Sequence, residues 1–131
     1  MNQQPYNLGI VGSRHYTNYN EFVLVVNQII DKYGFPAKVV SGGHRDKHGQ
    51  TKPGADSLAW QWANLSGIEI IEHEANWDQY GRAAGPIRNK LIVRDSDVIL
   101  AFVAPNSTGT RNTINEAKKD PTIKIYTYDI T

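Results

Sequence analysis

The chain has 131 residues, 40% of them hydrophobic, which is the size of one domain and enough for one core. A formal net charge of +1 argues against a general nucleic-acid binder, and the absence of cysteine excludes disulfides and thiolate metal sites. The polar start, Met1 to Asn7, lacks an apolar signal core, and no apolar run approaches a membrane span, so a soluble, cytoplasmic protein is expected.

Strand and helix signals alternate along the whole chain. Asn7 to Ser13 contains a short apolar run (Leu8, Ile10, Val11) that stops at Gly12 and reads as a buried strand. A helix follows, with Asn18 as N-cap and Glu21 three residues on. Phe22, Val26, Ile29, Ile30 and Tyr33 form its apolar stripe, and Gly34 and Pro36 end it. Lys38 to Ser41 is a second strand and Ala55 to Ser66 a second helix, closed by Gly67. Ile68 to Glu72 is a third strand. Pro86 to Arg94 is helical, with the proline in its first turn. Val98 to Val103 is the most apolar strand and is expected inside the sheet. Thr110 to Lys119 is the last helix, stopped by Pro121, and Ile123 to Tyr128 the last strand. This order implies parallel pairing, hence an α/β fold: a Rossmann-like three-layer sandwich with a mostly parallel sheet of about five strands. The order of the strands is left open.

The residues suited to ligand chemistry collect in the segments that follow strands. Gly12-Ser13-Arg14 follows the first, and Ser41-Gly42-Gly43 through Gly54-Ala55-Asp56 the second. Trp77 through Asn89, with Arg82, Gly85 and Arg88, follows the third; Ser107-Thr108-Gly109-Thr110 follows the fourth. In a parallel sheet these segments meet outside the carboxyl ends of the strands, where open α/β sheets bind ligands. Taken singly, each glycine is an ordinary turn residue; together they allow close backbone approach to a ligand. Helix N-termini at that edge suit phosphate, and Arg14, Arg82, Arg88 and Arg111 fall in the same segments. Asp56 reads as a helix cap, as a partner of a ribose hydroxyl, or as a partner of a site arginine. Trp77 either packs or stacks on a base. Trp60 and Trp62 cannot share a helix face, so at least one belongs to the core or to a subunit interface. His44, Asp46 and His48 match no metal motif; no metal and no cofactor are expected. The charged stretch His44 to Pro53 reads as a flap over the ligand or a solvated insertion.

Taken in order, Gly12-Ser13-Arg14, Ser41-Gly42-Gly43, Gly54-Ala55-Asp56, Trp77-x-x-Tyr80-Gly81, Ala84-Gly85-Pro86-x-Arg88-Asn89, Asp97 with Ala101-Phe102, and Gly109-Thr110 resemble the SLOG superfamily. The small YspA-like group is the nearest branch, and the resemblance runs from about Leu8 to Tyr126. It implies a Rossmann-like domain that binds nucleotides or molecules derived from them, cyclic or NAD-derived ones included. It also implies a homodimer or higher homo-oligomer, a state to which three tryptophans and seven tyrosines in a small chain also point. The superfamily includes phosphoribohydrolases, whose motif arginine Arg88 resembles, and the DNA-processing protein DprA.

This chain departs from the pattern in two places. The superfamily joins the Gly-Gly pair almost directly to Gly-Ala-Asp, whereas here His44 to Pro53 intervenes. The phosphoribohydrolases carry acids just after Gly-Thr, whereas here Arg111, Asn112 and Thr113 follow. The expected function is therefore binding, as a sensor, carrier or sequestering protein. The alternative is an N-glycosidase, or a related nucleoside transferase, acting on nucleoside monophosphates, with Glu116, Asp56 and Arg88 as catalytic candidates. A nucleic-acid module is the weakest reading.

Overall fold

The computed structural model describes residues 4–130, so the first three positions of the polar N-terminal stretch lie outside the described residues. Five strands form one all-parallel sheet: β1 (Asn7–Gly12), β2 (Lys38–Ser41), β3 (Glu69–Glu72), β4 (Val98–Val103) and β5 (Lys124–Asp129). Their spatial order is β3-β2-β1-β4-β5. Helices α1 (Tyr19–Tyr33), α2 (Ala55–Ser66), α4 (Ala84–Asp95) and α5 (Thr108–Ala117) cover the sheet. A one-turn helix α3 (Trp77–Tyr80) and a 3₁₀ turn (Gly81–Ala83) lead into α4. The architecture is the Rossmann-like three-layer sandwich that the alternating sequence implies.

The two faces of the sheet follow from the period-two alternation of its strands. Leu8, Ile10, Val39, Leu100 and Phe102 point to α1 and α2, where Phe22, Val26, Leu58 and Trp62 complete one core. Val11, Val40, Ile99 and Ala101 point the other way, to Ile92 and Val93 of α4 and Ile114 and Ala117 of α5. Strands apolar on both faces are what a sheet covered on both sides needs. Trp62 belongs to the first core, and Trp60 stacks on the His44 ring with centroids 4.3 Å apart. No helix among the described residues is long and apolar enough to cross a membrane.

Local signals explain most element ends. The Asn18 side chain accepts the Glu21 N–H at 3.1 Å and caps α1; Gly67, at φ 70°, ends α2 in the left-handed region. Both later helices start two residues before their expected positions. In α4 the residue before Pro86 is Gly85, which has no Cβ to clash with the proline ring, so the helix extends back to Ala84. In α5 the first turn takes in Thr108 and Gly109, with Ser107 as N-cap. The α3 turn carries no apolar periodicity; the Asn76 side chain, accepting the Gln79 N–H at 3.0 Å, holds it.

Candidate ligand-binding site

β1 and β4 lie side by side, but the chain leaves β1 toward β2 and leaves β4 toward β5. The loops after them diverge and leave a crevice at this switch point, the general ligand position of open α/β sheets. A cleft of about 860 Å³ opens there. It is lined by the β1 loop (Gly12, Ser13, Arg14, His15), the segment after β2, the start of α2, the loop after β3, one side of α4, and the stretch Ala104 to Thr110.

Most expected site residues meet in this cleft: Gly12, Ser13, Arg14, Gly42, Gly54, Ala55, Asp56, Trp77, Arg88, Asn89, Ser107, Thr108, Gly109 and Thr110 all line it. Four do not. Ser41 is fully buried, and its hydroxyl accepts the Gly43 N–H at 3.5 Å. Gly43 turns at φ 97° beside the Glu74 side chain. Arg82 is exposed on the 3₁₀ turn, and Gly85 is buried beneath Trp77. Arg111 also stands aside: it is exposed and donates to the Pro105 carbonyl at 3.1 Å.

Two glycines are required by close approach. Gly54 lies at φ 118°, and a Cβ there would sit 2.6 Å from the Arg14 Cα. That contact seats the start of α2 under the β1 loop, where the Ala55 N–H donates to the Ser13 carbonyl at 3.0 Å. A Cβ on Gly42 would fall 2.5 Å from Arg88 Nη1 and 2.9 Å from Asp56 Oδ2. Arg88 and Asp56 thus face each other across Gly42. Arg88 Nη1 donates to the Gly42 carbonyl at 3.0 Å, and Asp56 Oδ1 accepts the Gly42 N–H at 3.2 Å.

Asp56 is therefore not the cap of α2; Gly54 is the N-cap, and no side chain caps that end. Burial at the cleft floor raises the Asp56 pKa above its ordinary value, and Glu72 pushes the same way. The opposing pull of Arg88, Lys52 and the Gly42 N–H does not cancel this. Arg88 Nε also donates to Asn89 Oδ1 at 2.9 Å. Asn89, buried, donates to Asn112 Oδ1 at 3.0 Å and to the Gly109 carbonyl at 3.4 Å. One hydrogen-bonded chain therefore runs from the end of β2 to the first turn of α5. At that turn Ser107 Oγ accepts the Ala104 N–H at 2.9 Å and shapes the loop. A Cβ on Gly109 would meet nothing within 4 Å, so the helix start is open toward the cleft.

Glu116 is not among the cleft-lining residues; it pairs with Lys119 at 3.0 Å. The segment His44 to Pro53, expected as a flap or solvated insertion, is a closed hairpin. Arg45 bridges Thr51, the Lys52 N–H donates to the His44 carbonyl at 2.9 Å, and Gly49 turns at φ 79°. Its residues Arg45, Asp46, Lys47, Lys52 and Pro53 line the cleft, which places the segment at the ligand edge as the flap reading has it, although none of them is among the expected ligand-binding residues. The density of cations in that stretch was the available signal. His15, Glu74 and Thr113 are further lining residues without a motif to mark them.

No family model matches the chain. It is 39% identical over 87 residues to the Gene 61 protein of Mycobacterium phage D29, a span covering 62% of this chain. The chain thereby spans about 63% of the length of that phage protein.

Proposed function

We propose that this protein binds a nucleotide or nucleotide-derived phosphorylated ligand, cyclic and NAD-derived ones included, as a sensor, carrier or sequestering protein. The observation that carries the reading is convergence at the β1/β4 switch point. Glycine-rich backbone, the open start of α5 and the guanidinium groups of Arg14 and Arg88 face one cleft. Backbone donors at a helix N-terminus and a planar guanidinium both suit phosphate. Trp77, 59% exposed at the cleft wall, offers a face on which a base stacks. The SLOG-like order of motifs supports the same ligand class. The proposal extends to a cytoplasmic homodimer or higher homo-oligomer, since Leu24, Phe35 and Leu65 leave apolar surface exposed. Light scattering that finds only monomer at high concentration overturns the oligomer. Mass spectrometry of small molecules released from the purified protein by denaturation tests the ligand; release of no phosphorylated compound counts against it.

One observation favours a second reading, N-glycosidic hydrolysis of a nucleoside monophosphate. Asp56 is a carboxyl at the cleft floor whose burial favours the protonated form, the state needed to protonate a departing base. Incubation with nucleoside monophosphates is expected to release little free base. Rapid release that is lost in Asp56→Asn but kept in Glu116→Gln would make the enzyme reading the correct one.

A further inference from the structure

The hairpin between β2 and α2 adds charge to the cleft on the side away from α5. Five cationic side chains line the cleft, Arg14, Arg45, Lys47, Lys52 and Arg88, against three carboxylates. Three of the five cations come from the hairpin. Its one acid, Asp46, turns to its own backbone, where Oδ1 accepts the His48 N–H at 2.9 Å and the Gln50 N–H at 3.0 Å; these bonds keep it ionised, so the hairpin brings a net two positive charges to the cleft. Arg45 Nη1 donates to the Gly49 carbonyl at 2.8 Å, while Lys47 and Lys52 make no ion pair with a described residue.

The hairpin is also anchored. The backbone N–H of His44 and its ring Nδ1 both meet Glu72 Oε2, at 2.8 and 2.7 Å, and Trp60 stacks on the ring. Ser57 Oγ bonds the Lys52 carbonyl from α2. Cations held on an ordered element lose less entropy on binding than those on a free loop. The start of α5 follows β4 and the hairpin follows β2, on opposite sides of β1, so two strand spacings of roughly 10 Å separate their strands. The cleft volume of about 860 Å³ lies toward the upper end of the roughly 300–1,000 Å³ range of small-molecule sites.

We infer that the hairpin forms a second anion zone and that the ligand carries two or more phosphoryl groups, one held near the α5 start and another by Arg45, Lys47 and Lys52. The inference rests on the nucleotide-binding reading and narrows its ligand class.

The test is calorimetric titration of the parent and of the Arg45→Ala/Lys47→Ala/Lys52→Ala variant with AMP and ATP. Thermal melts of both proteins with inorganic phosphate and inorganic tripolyphosphate accompany it. In the parent, ATP is expected to bind about tenfold or more tighter than AMP, and that ratio falls toward one in the triple variant. Tripolyphosphate raises the melting temperature of the parent more than phosphate does, and the excess disappears in the variant. The double variant Lys47→Ala/Lys52→Ala keeps the Arg45 bond to Gly49 and is expected to lose part of the ratio, which guards against a hairpin that has lost its shape. ATP binding no tighter than AMP, or a ratio that survives in the triple variant, overturns the second zone and leaves the nucleotide reading standing. Hairpin-dependent stabilisation by tripolyphosphate without binding of either nucleotide upholds the zone and overturns an adenine mononucleotide as the ligand. Binding of none of the four probes overturns the second zone and that ligand together.

Discussion

The two sides of the cleft are built on different principles. On the β4 side the chain presents backbone: a turn shaped by Ser107, a glycine with open space around it, and the first turn of a ten-residue helix. On the β2 side it presents side chains on a hairpin that is hydrogen-bonded within itself and anchored to β3 and α2. Backbone donors are fixed by the fold and cannot be removed without breaking a helix, whereas hairpin cations can be changed without touching either core. The β4 side supplies geometry and the β2 side supplies charge. Between them, the chain from Gly42 through Arg88 and Asn89 to Gly109 couples the two.

The largest effect is expected at the residue that seats the β2 side on the β1 loop between the two. Gly54→Val forces a β-branched side chain into φ 118° and against the Arg14 backbone. The strained dihedral alone costs about 1–3 kcal/mol and the backbone contact adds to it, so a loss of about 3 kcal/mol or more is expected in chemical denaturation. A change below about 1 kcal/mol would mean that the α2 start does not seat on the β1 loop as described.

Next in size are changes directed at binding, of which Arg88→Ala also leaves the Gly42 carbonyl and Asp56 without their partner. Arg88→Ala removes the guanidinium that joins the two sides, and binding of the released ligand is expected to weaken about tenfold or more in calorimetry. Gly109→Val should weaken binding comparably by blocking approach to the helix start. Because a Cβ there has open space around it, the melting temperature of this variant should stay near that of the parent. Unchanged affinity in both variants would remove the phosphate from the α5 end of the cleft.

A subtler effect concerns Asp56. Its folded-state pKa lies above the ordinary value of 3.8, so the parent gives up stability as pH rises from that value through the raised one. Asp56→Asn retains an oxygen for the Gly42 N–H and does not titrate. Its stability relative to the parent should therefore increase as pH rises from below 3.8, levelling off once Asp56 is ionised in the folded parent. Paired denaturation curves at stepped pH values measure this; a flat difference means that Asp56 is not desolvated. The smallest effect is expected at Glu116, whose partner Lys119 is 72% exposed. Glu116→Gln should shift stability by less than about 0.5 kcal/mol and leave ligand affinity unchanged, and a larger binding effect would draw that helix face into the site.

Much of this molecule was determined by the sequence alone. The existence and type of nine elements, the five strands and helices α1, α2, α4 and α5, are local matters. Asn18 followed by Glu21, the glycines at 34 and 67, and apolar runs of four to six residues act over distances of a few residues. Ser107 to Thr110 and Gly54 to Asp56 were visible as site segments for the same reason: glycine and small polar residues after an apolar strand mark a turn at the carboxyl edge.

Only the tertiary structure decided the rest. Strand order is not written in any one strand, because inner strands apolar on both faces pair equally well with several neighbours; the crossovers and two cores select β3-β2-β1-β4-β5 and with it the β1/β4 crevice. Ser41 and Gly85 lie in the right segments yet are buried, since side-chain direction depends on pleat and packing. Glu116 turned to Lys119 because the rotation of α5 about its axis is fixed by Ile114 and Ala117 against the sheet. The hairpin cations reached the cleft through His44, Glu72 and Trp60, contacts spanning up to 28 positions that depend on β2 and β3 lying side by side.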